Sequence, residues 1–119
     1  MHIKNINVAL IGNPNVGKTS VFNRLTGLNQ QVGNYPGITV EKKIGYCKLP
    51  HHHLANILDL PGTYSLNASS IDENVVIELL LNKNEKLYPD VALVVTEVEN
   101  LKRNLLLFTQ IKDLEIPTI

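Results

Sequence analysis

The stretch Gly-Asn-Pro-Asn-Val-Gly-Lys-Thr at residues 12–19 decides the fold. It follows a largely apolar run at residues 6–11 and precedes a segment with apolar residues at helical spacing. This order predicts a buried strand, a turn that exposes backbone N–H groups, and a helix whose N-terminus favours negative charge. The alternative is an ordinary glycine-rich turn between a strand and a helix. The complete motif favours a phosphate-binding loop for a nucleoside triphosphate.

Individual residues of this loop have separate expected roles. Gly12 and Gly17 let the backbone close around phosphate oxygens where a Cβ would clash. Lys18 is expected to reach the β- and γ-phosphates, and the Thr19 hydroxyl to ligate Mg²⁺. The predicted nucleotide-binding residues here are Gly12, Asn13, Pro14, Asn15, Val16, Gly17, Lys18, Thr19 and Ser20.

Length and composition narrow the class of protein. The 119 residues suit one small domain, and we treat residues 1–119 as the N-terminal portion of a nucleotide-binding domain. Hydrophobic residues make up 44% of the chain and charged residues 18%, which is compatible with a packed core. Eleven basic residues balance eleven acidic ones, so charge offers no argument for nucleic-acid binding. No apolar run reaches the roughly 20 residues of a membrane span, and we expect a soluble domain.

The first half of the chain predicts a sheet with one helix. We expect a central strand at 5–11, a helix at 18–27 that Gly27 ends, and a loop without regular structure at 28–38. Strands at 40–49 and 54–60 are expected to form an antiparallel hairpin at a sheet edge. The apolar face of the helix is predicted to comprise Val21, Phe22 and Leu25.

The second half continues the alternation. Ser70 and Glu73 match a capping box, and they start a helix whose buried face is predicted to be Val75, Val76, Leu79 and Leu80. A buried strand is expected at 90–96, and another begins at 116. Between them, Asn100 caps a helix with one apolar face, predicted as Leu101, Leu105, Phe108 and Ile111. The fold class is α/β: a mostly parallel P-loop sheet with helices on both faces, incomplete at the C-terminus.

A second motif, Asp59-Leu60-Pro61-Gly62, lies at the end of the third predicted strand. A strand end in this fold lies beside the phosphate loop, so Asp59 can hold Mg²⁺ through a water. Gly62 can approach the γ-phosphate with its backbone N–H. The tetrapeptide alone is often only a turn, and its position after this strand is what favours a nucleotide site. Its four residues are predicted to bind the nucleotide, as are Gly37, Ile38 and Thr39 of the first loop.

Thr39 is the candidate third element of the site. It follows Gly37 and Ile38 in the long first loop, and its hydroxyl could complete the Mg²⁺ shell when the γ-phosphate draws the loop inward. A surface threonine at a strand entrance is the alternative. Together the motifs predict a switch that senses a triphosphate, with loops near residues 28–40 and 61–70.

Longer stretches around these motifs resemble the N-terminal G domain of the ferrous iron transport protein B (FeoB) family. They read Val-Gly-Asn-Tyr-Pro-Gly-Ile-Thr-Val-Glu at 32–41 and Asp-Leu-Pro-Gly-Thr-Tyr-Ser-Leu at 59–66. The phosphate loop and Asn-Leu-Lys-Arg-Asn-Leu at 100–105 support the match. The resemblance implies a domain that binds GTP and GDP and hydrolyses GTP on the cytoplasmic side of the bacterial inner membrane, attached to a membrane-embedded Fe²⁺ permease region. Two features depart from the family: Thr-Glu-Val-Glu at 96–99 replaces a common Asp-Ala, and the stretch after Leu66 is short.

The residue after Gly62 bears on catalysis. Small regulatory GTPases place a glutamine there to orient water, whereas this chain has Thr63. The resemblance implies another source of charge stabilisation, since Asn15 matches an asparagine that helps to bind K⁺ in cation-activated relatives. Backbone carbonyls near residues 33–36 would complete that K⁺ site; alternatively, Asn15 only shapes the loop. The expected catalytic residues are Asn15, Lys18, Thr39 and Gly62.

Several conspicuous residues have ordinary interpretations. The three histidines at 51–53 are expected to be solvated, because consecutive imidazoles do not converge on one metal. Cys47 is expected to be structural. The Lys42-Lys43 and Lys102-Arg103 pairs are expected to be solvated, and the leucines at 105–107 to be helix core with one exposed corner.

No guanine-recognition motif precedes Ile119, so a preference for guanine rests on the resemblance. We expect the 119-residue chain to bind GTP weakly, to distinguish it poorly from ATP, and to self-associate through an open sheet edge. Two alternatives stay open: an Era-like GTPase of ribosome or RNA maturation, and a nucleotide-binding regulatory module without useful turnover.

Overall fold

The computed structural model describes residues 5–13, 17–27, 30–63, 66, 70–84, 86–96 and 101–119, and at 101–104 it describes the backbone alone. Their strands are β1 (Asn5–Gly12), β2 (Gln30–Asn34), β3 (Glu41–Lys48), β4 (Leu54–Asp59) and β5 (Val91–Val95). Their α-helices are α1 (Lys18–Thr26), α2 (Ile71–Leu81) and α3 (Leu101–Asp113). A 3₁₀ turn, Pro50–His52, joins β3 to β4.

The five strands form one mixed sheet in the order β2-β3-β4-β1-β5. β1 lies parallel to both β4 and β5, while β3 is antiparallel to both of its neighbours. Four of the five described strands therefore run in one direction, and β3 runs the other way. The predicted α/β class and the β3–β4 hairpin are confirmed.

The loop predicted at 28–38 is wrong in part, because Gln30–Asn34 is a strand paired with β3. β2, rather than the β3–β4 hairpin, is consequently the edge of the sheet. The sequence of β2 contains one apolar residue, Val32, and that residue is 59% exposed. Since no face of β2 is buried, it lacks the alternation that identifies a strand, and its pairing with β3 decides its conformation.

Helices cover both faces of the sheet, as predicted. On one face Phe22 of α1 packs against Leu10 and Ile57. Thr26 is buried on this face, where its hydroxyl donates to the Phe22 carbonyl at 2.8 Å, whereas Leu25 is exposed. The α1 face was therefore predicted correctly at Phe22 and wrongly at Leu25. Gly27 ends the helix as expected, with a φ of 61°.

The opposite face carries α2 and α3. Ser70 caps α2, since its Oγ accepts the Glu73 backbone N–H at 3.1 Å, which confirms the capping box. The four residues predicted to be buried on this helix are buried: Val75, Val76, Leu79 and Leu80.

The predicted face of α3 is wrong at Leu105. Leu107 and Ile111 are the buried residues, while Leu105 and Leu106 are 49% and 51% exposed. Positions 107 and 111 are one helical turn apart, but three consecutive leucines carry no periodic signal that would select the middle or the last of them. The predicted cap at residue 100 and the side chain of residue 101 lie outside the described part of the chain.

β5 is less buried than its sequence predicts, since Ala92 alone among its five residues is fully buried. The last residues run parallel to it: the Ile119 N–H donates to the Ala92 carbonyl at 2.9 Å, and the Val94 N–H to the Ile119 carbonyl at 3.0 Å. The strand expected from residue 116 thus begins on the outer side of β5.

Asn7 fastens β1 to its neighbours at the amino end of the parallel strands. Its side-chain amide donates to the carbonyls of Lys86 and Tyr88 at 3.1 and 3.2 Å, and its oxygen accepts from Asn56 at 3.2 Å. Its backbone N–H donates to the Asp90 carboxylate at 2.8 Å. Asn7 therefore joins three segments far from the candidate site.

Among the described helices, none is long and apolar enough to cross a membrane.

Candidate phosphate and metal site

The two sequence motifs meet at the carboxyl ends of β1 and β4. Because these strands are parallel and Leu10 is level with Asp59, the segments that follow β1 and β4 leave the sheet at the same edge. The Thr63 N–H donates to the Gly12 carbonyl at 2.9 Å and ties the second motif to the start of the phosphate loop. The predicted adjacency of these segments is thus present in the fold.

The helix after the loop begins at Lys18. Gly17 occupies its N-cap with a φ of 83°, a left-handed conformation that glycine adopts without strain. The Val21 N–H then donates to the Gly17 carbonyl at 3.2 Å. Residues 14–16, which include the predicted Pro14, Asn15 and Val16, lie outside the described residues.

Lys18 and Asp59 form an ion pair across the site. The Lys18 Nζ contacts the Asp59 Oδ1, and their side chains are 11% and 7% exposed. The sequence predicted separate roles for them, one on phosphate and one on Mg²⁺, and did not predict that they bind each other. Each charge offsets the other in a largely dehydrated position, where an unpaired charge is costly.

A cavity of about 320 Å³ opens around this ion pair. It brings together five residues of the predicted site from distant parts of the chain: Lys18, Thr39, Asp59, Leu60 and Pro61. The complete lining is Lys18, Thr39, Val40, Glu41, Lys43, Asp59, Leu60, Pro61 and Asp72.

The other predicted residues that the structure describes do not line the cavity: Gly12, Asn13, Gly17, Thr19, Ser20, Gly37, Ile38 and Gly62. Thr19 and Ser20 are exposed on the first turn of α1, and Gly62 is partly buried. Gly12 and Asn13 are buried at the end of β1.

The first loop contains a tight turn ahead of Thr39. The Ile38 N–H donates to the Tyr35 carbonyl at 3.3 Å, with Pro36 in the second position and Gly37 at a φ of 76° in the third. This is the type II pattern, which needs a positive φ at the third position. The turn delivers Thr39, itself exposed, to the rim of the cavity.

Tyr35 is the first residue of this turn, and its hydroxyl is buried without a hydrogen-bond partner in the described part of the chain. Burial of the phenol, with the nearby negative charge of Asp59 as a smaller cause, raises the pKa of Tyr35 to about 12. The Lys42 ammonium lies 5.6 Å from the centre of its ring. Tyr35 is therefore neutral at physiological pH.

Sequence reasoning missed the charged residues that complete the lining. Lys43 was expected to be solvated, but it extends into the cavity with Glu41, and Asp72 approaches from the first turn of α2. Alternation along β3 would have put Glu41 and Lys43 on one face and Lys42 on the other. That signal identifies a binding face only when the pairing of β3 with β4 is known.

The histidine turn lies elsewhere. His51 and His52 are exposed with positive φ values of 62° and 65°, and the rings of His51 and His53 are 6.4 Å apart. Within the described residues, no group of three or more histidine, cysteine or acidic side chains is arranged to hold a metal ion. Cys47 is partly buried on β3.

The fold and the position of the site together define the class of protein: the chain has the fold of a P-loop GTPase. The chain matches the family model of ferrous iron transport protein B over residues 6–119, and it therefore belongs to the FeoB family. This membership disfavours the Era-like alternative.

Known relatives cover the whole chain. It is 46% identical over 117 residues to the Fe(2+) transporter FeoB of Leptospira biflexa, spanning 98% of this chain and 16% of that protein. The crystal structure of the G domain of T. maritima FeoB has a TM-score of 0.84 and 43% identity, with coverage of 98% of this chain and 69% of that one. A GDP-bound variant of the S. thermophilus N-terminal FeoB domain has a TM-score of 0.84 and 45% identity, with coverage of 98% and 42%. The chain thus spans a small part of its full-length relatives.

Proposed function

We propose that this chain is the nucleotide-binding part of a FeoB G domain, which binds GTP and GDP and hydrolyses GTP. The observation that carries the proposal is the convergence of Lys18, Thr39 and Asp59 on one cavity at the ends of β1 and β4. A similar fold was crystallised with GDP in the S. thermophilus relative, which supports the same ligand class here.

Phosphate binding is assigned to the loop at 12–17 and to the first residues of α1. Backbone N–H groups of the loop and the α1 N-terminus would surround the phosphates. Lys18 would leave Asp59 for a phosphate oxygen, exchanging one anionic partner for another. Gly37, Ile38, Leu60 and Pro61 would close around the terminal phosphate from the two loops.

The oxygen donors of the predicted site fit Mg²⁺, and two of the three, Thr39 and Asp59, line the cavity. The Thr19 and Thr39 hydroxyls and the Asp59 carboxylate are hard oxygen ligands, which Mg²⁺ prefers, and Asp59 would act through a water. Bound Mg²⁺ would offset the negative charge of the phosphate oxygens. Asp59 becomes available for this role when Lys18 moves to the nucleotide, so the two steps are coupled.

Hydrolysis needs a source of charge stabilisation other than Thr63. Thr63 is 2% exposed and its side chain is shorter than that of glutamine, so it is poorly suited to orient the attacking water. We assign the stabilisation of charge on the phosphate oxygens to the Gly62 N–H, to Lys18 and to a K⁺ ion held with Asn15. We assign to Thr39 the closing of the first loop over the γ-phosphate. Gly33 and Asn34 belong to the edge strand β2, where successive carbonyls alternate between facing β3 and facing away, so one of the two is available to such a K⁺ site without loss of strand pairing.

In the full-length protein we place this domain on the cytoplasmic side of the bacterial inner membrane, beside a permease region that carries Fe²⁺. Nucleic acid has no role in this proposal. The 119-residue chain by itself is proposed to bind GTP weakly, with little preference over ATP, and to self-associate through its sheet edge. Calorimetric titration with both nucleotides and light scattering test this; tight, GTP-selective binding by a monomer would contradict it.

The central test uses this chain extended to the length of its relatives' G domain. Titration with a fluorescent GTP analogue should show binding that Lys18→Ala weakens tenfold or more, because a charge-assisted hydrogen bond contributes roughly 1.5–3 kcal/mol. Lys48→Ala, at the far end of β3, is the matched control and should bind normally. Equal affinities in all three proteins would refute the phosphate site.

Turnover is measured separately. Single-turnover release of phosphate from GTP should occur in the parent protein and be lost in Lys18→Ala. Binding without any phosphate release would select the regulatory-module alternative.

A further inference from the structure

We propose that Lys43 is a second cation of the nucleotide site, which attracts the terminal phosphate and favours a triphosphate over a diphosphate. This inference rests on the proposed nucleotide binding and adds a residue to it. Lys43 belongs to neither the phosphate loop nor the Asp-x-x-Gly motif. The pairing of β3 with β4 is what brings it to the site.

The register of the sheet places Lys43 beside the metal-binding carboxylate. Lys43 lies directly opposite Asp59 in the antiparallel β3–β4 pair. Side chains of such a pair share one face of the sheet and lie close together. On that face the Lys43 ammonium is 5.9 Å from the centre of the buried Phe22 ring of α1.

Within the described residues, the anionic partner of this ammonium is a loose one. Its Nζ is 3.8 Å from the Glu41 Oε1, at the outer limit of an ion pair, and the Glu41 side chain is 58% exposed. Such exposed pairs contribute little and are readily exchanged. The Lys43 side chain itself is 26% exposed, so part of it is withdrawn from water, and the residue lines the cavity.

The charges that line the cavity make the Lys43 ammonium the more available of its two cations. Three carboxylates and two ammonium groups line the cavity, and Asp59 holds the Lys18 ammonium in the state described. An arriving polyphosphate would therefore meet Lys43 as the more available cation of the lining, next to Thr39 and Asp59. This is the side proposed for the γ-phosphate, so loss of the charge should affect GTP more than GDP. A unit charge several ångströms away in a half-hydrated site changes affinity by about three- to tenfold.

The experiment compares four single variants in the extended G domain. Lys43→Gln should weaken binding of a non-hydrolysable GTP analogue about three- to tenfold, and that of GDP less, with a difference that shrinks at high salt. Lys43→Arg keeps the charge and should retain the parent's ratio of affinities for the GTP analogue and GDP. Lys42→Gln is the matched control, since the adjacent side chain lies on the opposite face beside Tyr35, and its ratio should equal that of the parent. Glu41→Gln frees the ammonium and should raise affinity for the GTP analogue, a gain that Lys43→Gln should reduce in the double variant.

Titrations are run with Mg²⁺ and with a chelator, and folding is checked by circular dichroism. Equal effects of Lys43→Gln and Lys42→Gln would overturn the proposal, while the Lys18→Ala result would still decide nucleotide binding on its own. A loss equal for GDP and the GTP analogue, seen only with Mg²⁺, would make Lys43 a partner of Asp59 and would also overturn it. If Lys43→Gln fails to fold, the Glu41→Gln variant decides: a ratio of affinities for the GTP analogue and GDP equal to that of the parent overturns the proposal, because a freed ammonium must favour the triphosphate.

Discussion

The Lys18 ammonium contacts the Asp59 carboxylate, so the residue predicted to bind phosphate and the residue predicted to bind Mg²⁺ form an ion pair with each other. Binding of a nucleotide with its metal would have to separate them. The ion pair compensates both charges, and it competes with a phosphate for Lys18 and with a metal ion for Asp59. Nucleotide affinity in this domain is therefore expected to include the cost of opening one largely buried ion pair.

Replacement of Asp59 by Asn tests this competition. In the ligand-free protein Lys18 would lose its carboxylate, and we expect stability to fall by about 1–3 kcal/mol, because a mostly buried charge would be left without its counter-charge. Binding of GDP should become independent of Mg²⁺. Urea unfolding and calorimetry with Mg²⁺ or a chelator measure both effects, and Asp113→Asn, on an exposed carboxylate at the end of α3, is the control. A Mg²⁺ dependence as strong as that of the parent would exclude Asp59 as the metal-site carboxylate.

Asn7 is expected to be a stability residue with no part in nucleotide binding. Asn7→Ala removes the side-chain hydrogen bonds to the Lys86 and Tyr88 carbonyls and to Asn56, and it should lower the free energy of unfolding by about 1–3 kcal/mol. Asn23→Ala, on the exposed side of α1, should change it by less than about 0.5 kcal/mol. Chemical denaturation measures both; a loss in Asn7→Ala no larger than in the control would contradict this assignment.

Gly45 allows α1 to approach β3 closely. A Cβ at this position would lie 2.8 Å from the Thr26 Cβ and 3.0 Å from the Phe22 Cζ. Gly45→Ala should destabilise the protein by about 1–3 kcal/mol through overpacking, and Thr26→Ser, which removes the facing methyl group, should recover part of the loss. Gly33→Ala is the control, because a Cβ there meets no atom within 4 Å. Thermal unfolding that ranks both glycine variants equally would refute the close-packing argument.

Tyr35→Phe should change the dependence of stability on pH. The pKa of Tyr35 is raised from 10.0 to about 12, so the folded state retains a proton that the unfolded state loses. The resulting contribution is complete below pH 10 and is lost between pH 10 and 12. Two pKa units correspond to about 2.7 kcal/mol, and we expect about 1 kcal/mol because the side chain is partly exposed.

The parent protein should therefore lose stability more steeply than Tyr35→Phe between pH 10 and 12, as measured by urea unfolding. At pH 7 the variant should be as stable as the parent or slightly more stable, since it lacks a buried hydroxyl without a partner. Parallel curves above pH 10 would show that the phenol is not shielded in solution.

Replacement of K⁺ by Na⁺ should slow GTP hydrolysis in the extended domain, and Asn15→Ala should abolish the difference between the two salts. The reason is that Thr63 cannot orient water as glutamine does, so charge must be stabilised by another group. Phosphate release is measured in both salts at constant ionic strength. The same rate in each would leave Asn15 as a residue that only shapes the loop.

Local patterns in the sequence were enough to predict much of the architecture. The phosphate loop with Gly17 at the helix start, the capping box of Ser70 and Glu73, and the β3–β4 hairpin depend on neighbouring residues, because backbone conformation and capping bonds are set within a few positions. The sequence also predicted that the segments containing Lys18, Thr39 and Asp59 meet, since parallel strands direct their carboxyl ends to one edge.

Long-range pairing decided the rest. β2 is a strand because β3 supplies its hydrogen-bond partners, although its own residues show no buried face. Packing against the sheet selected Leu107 over Leu105 in α3, a choice that a run of leucines does not encode. The Lys18–Asp59 ion pair and the entry of Lys43 into the cavity depend on which strand lies beside β4 and in which register. The sequence by itself determined the chemical groups and the turns that present them, and the tertiary structure determined which charges face one another, because that depends on contacts between residues far apart in the chain.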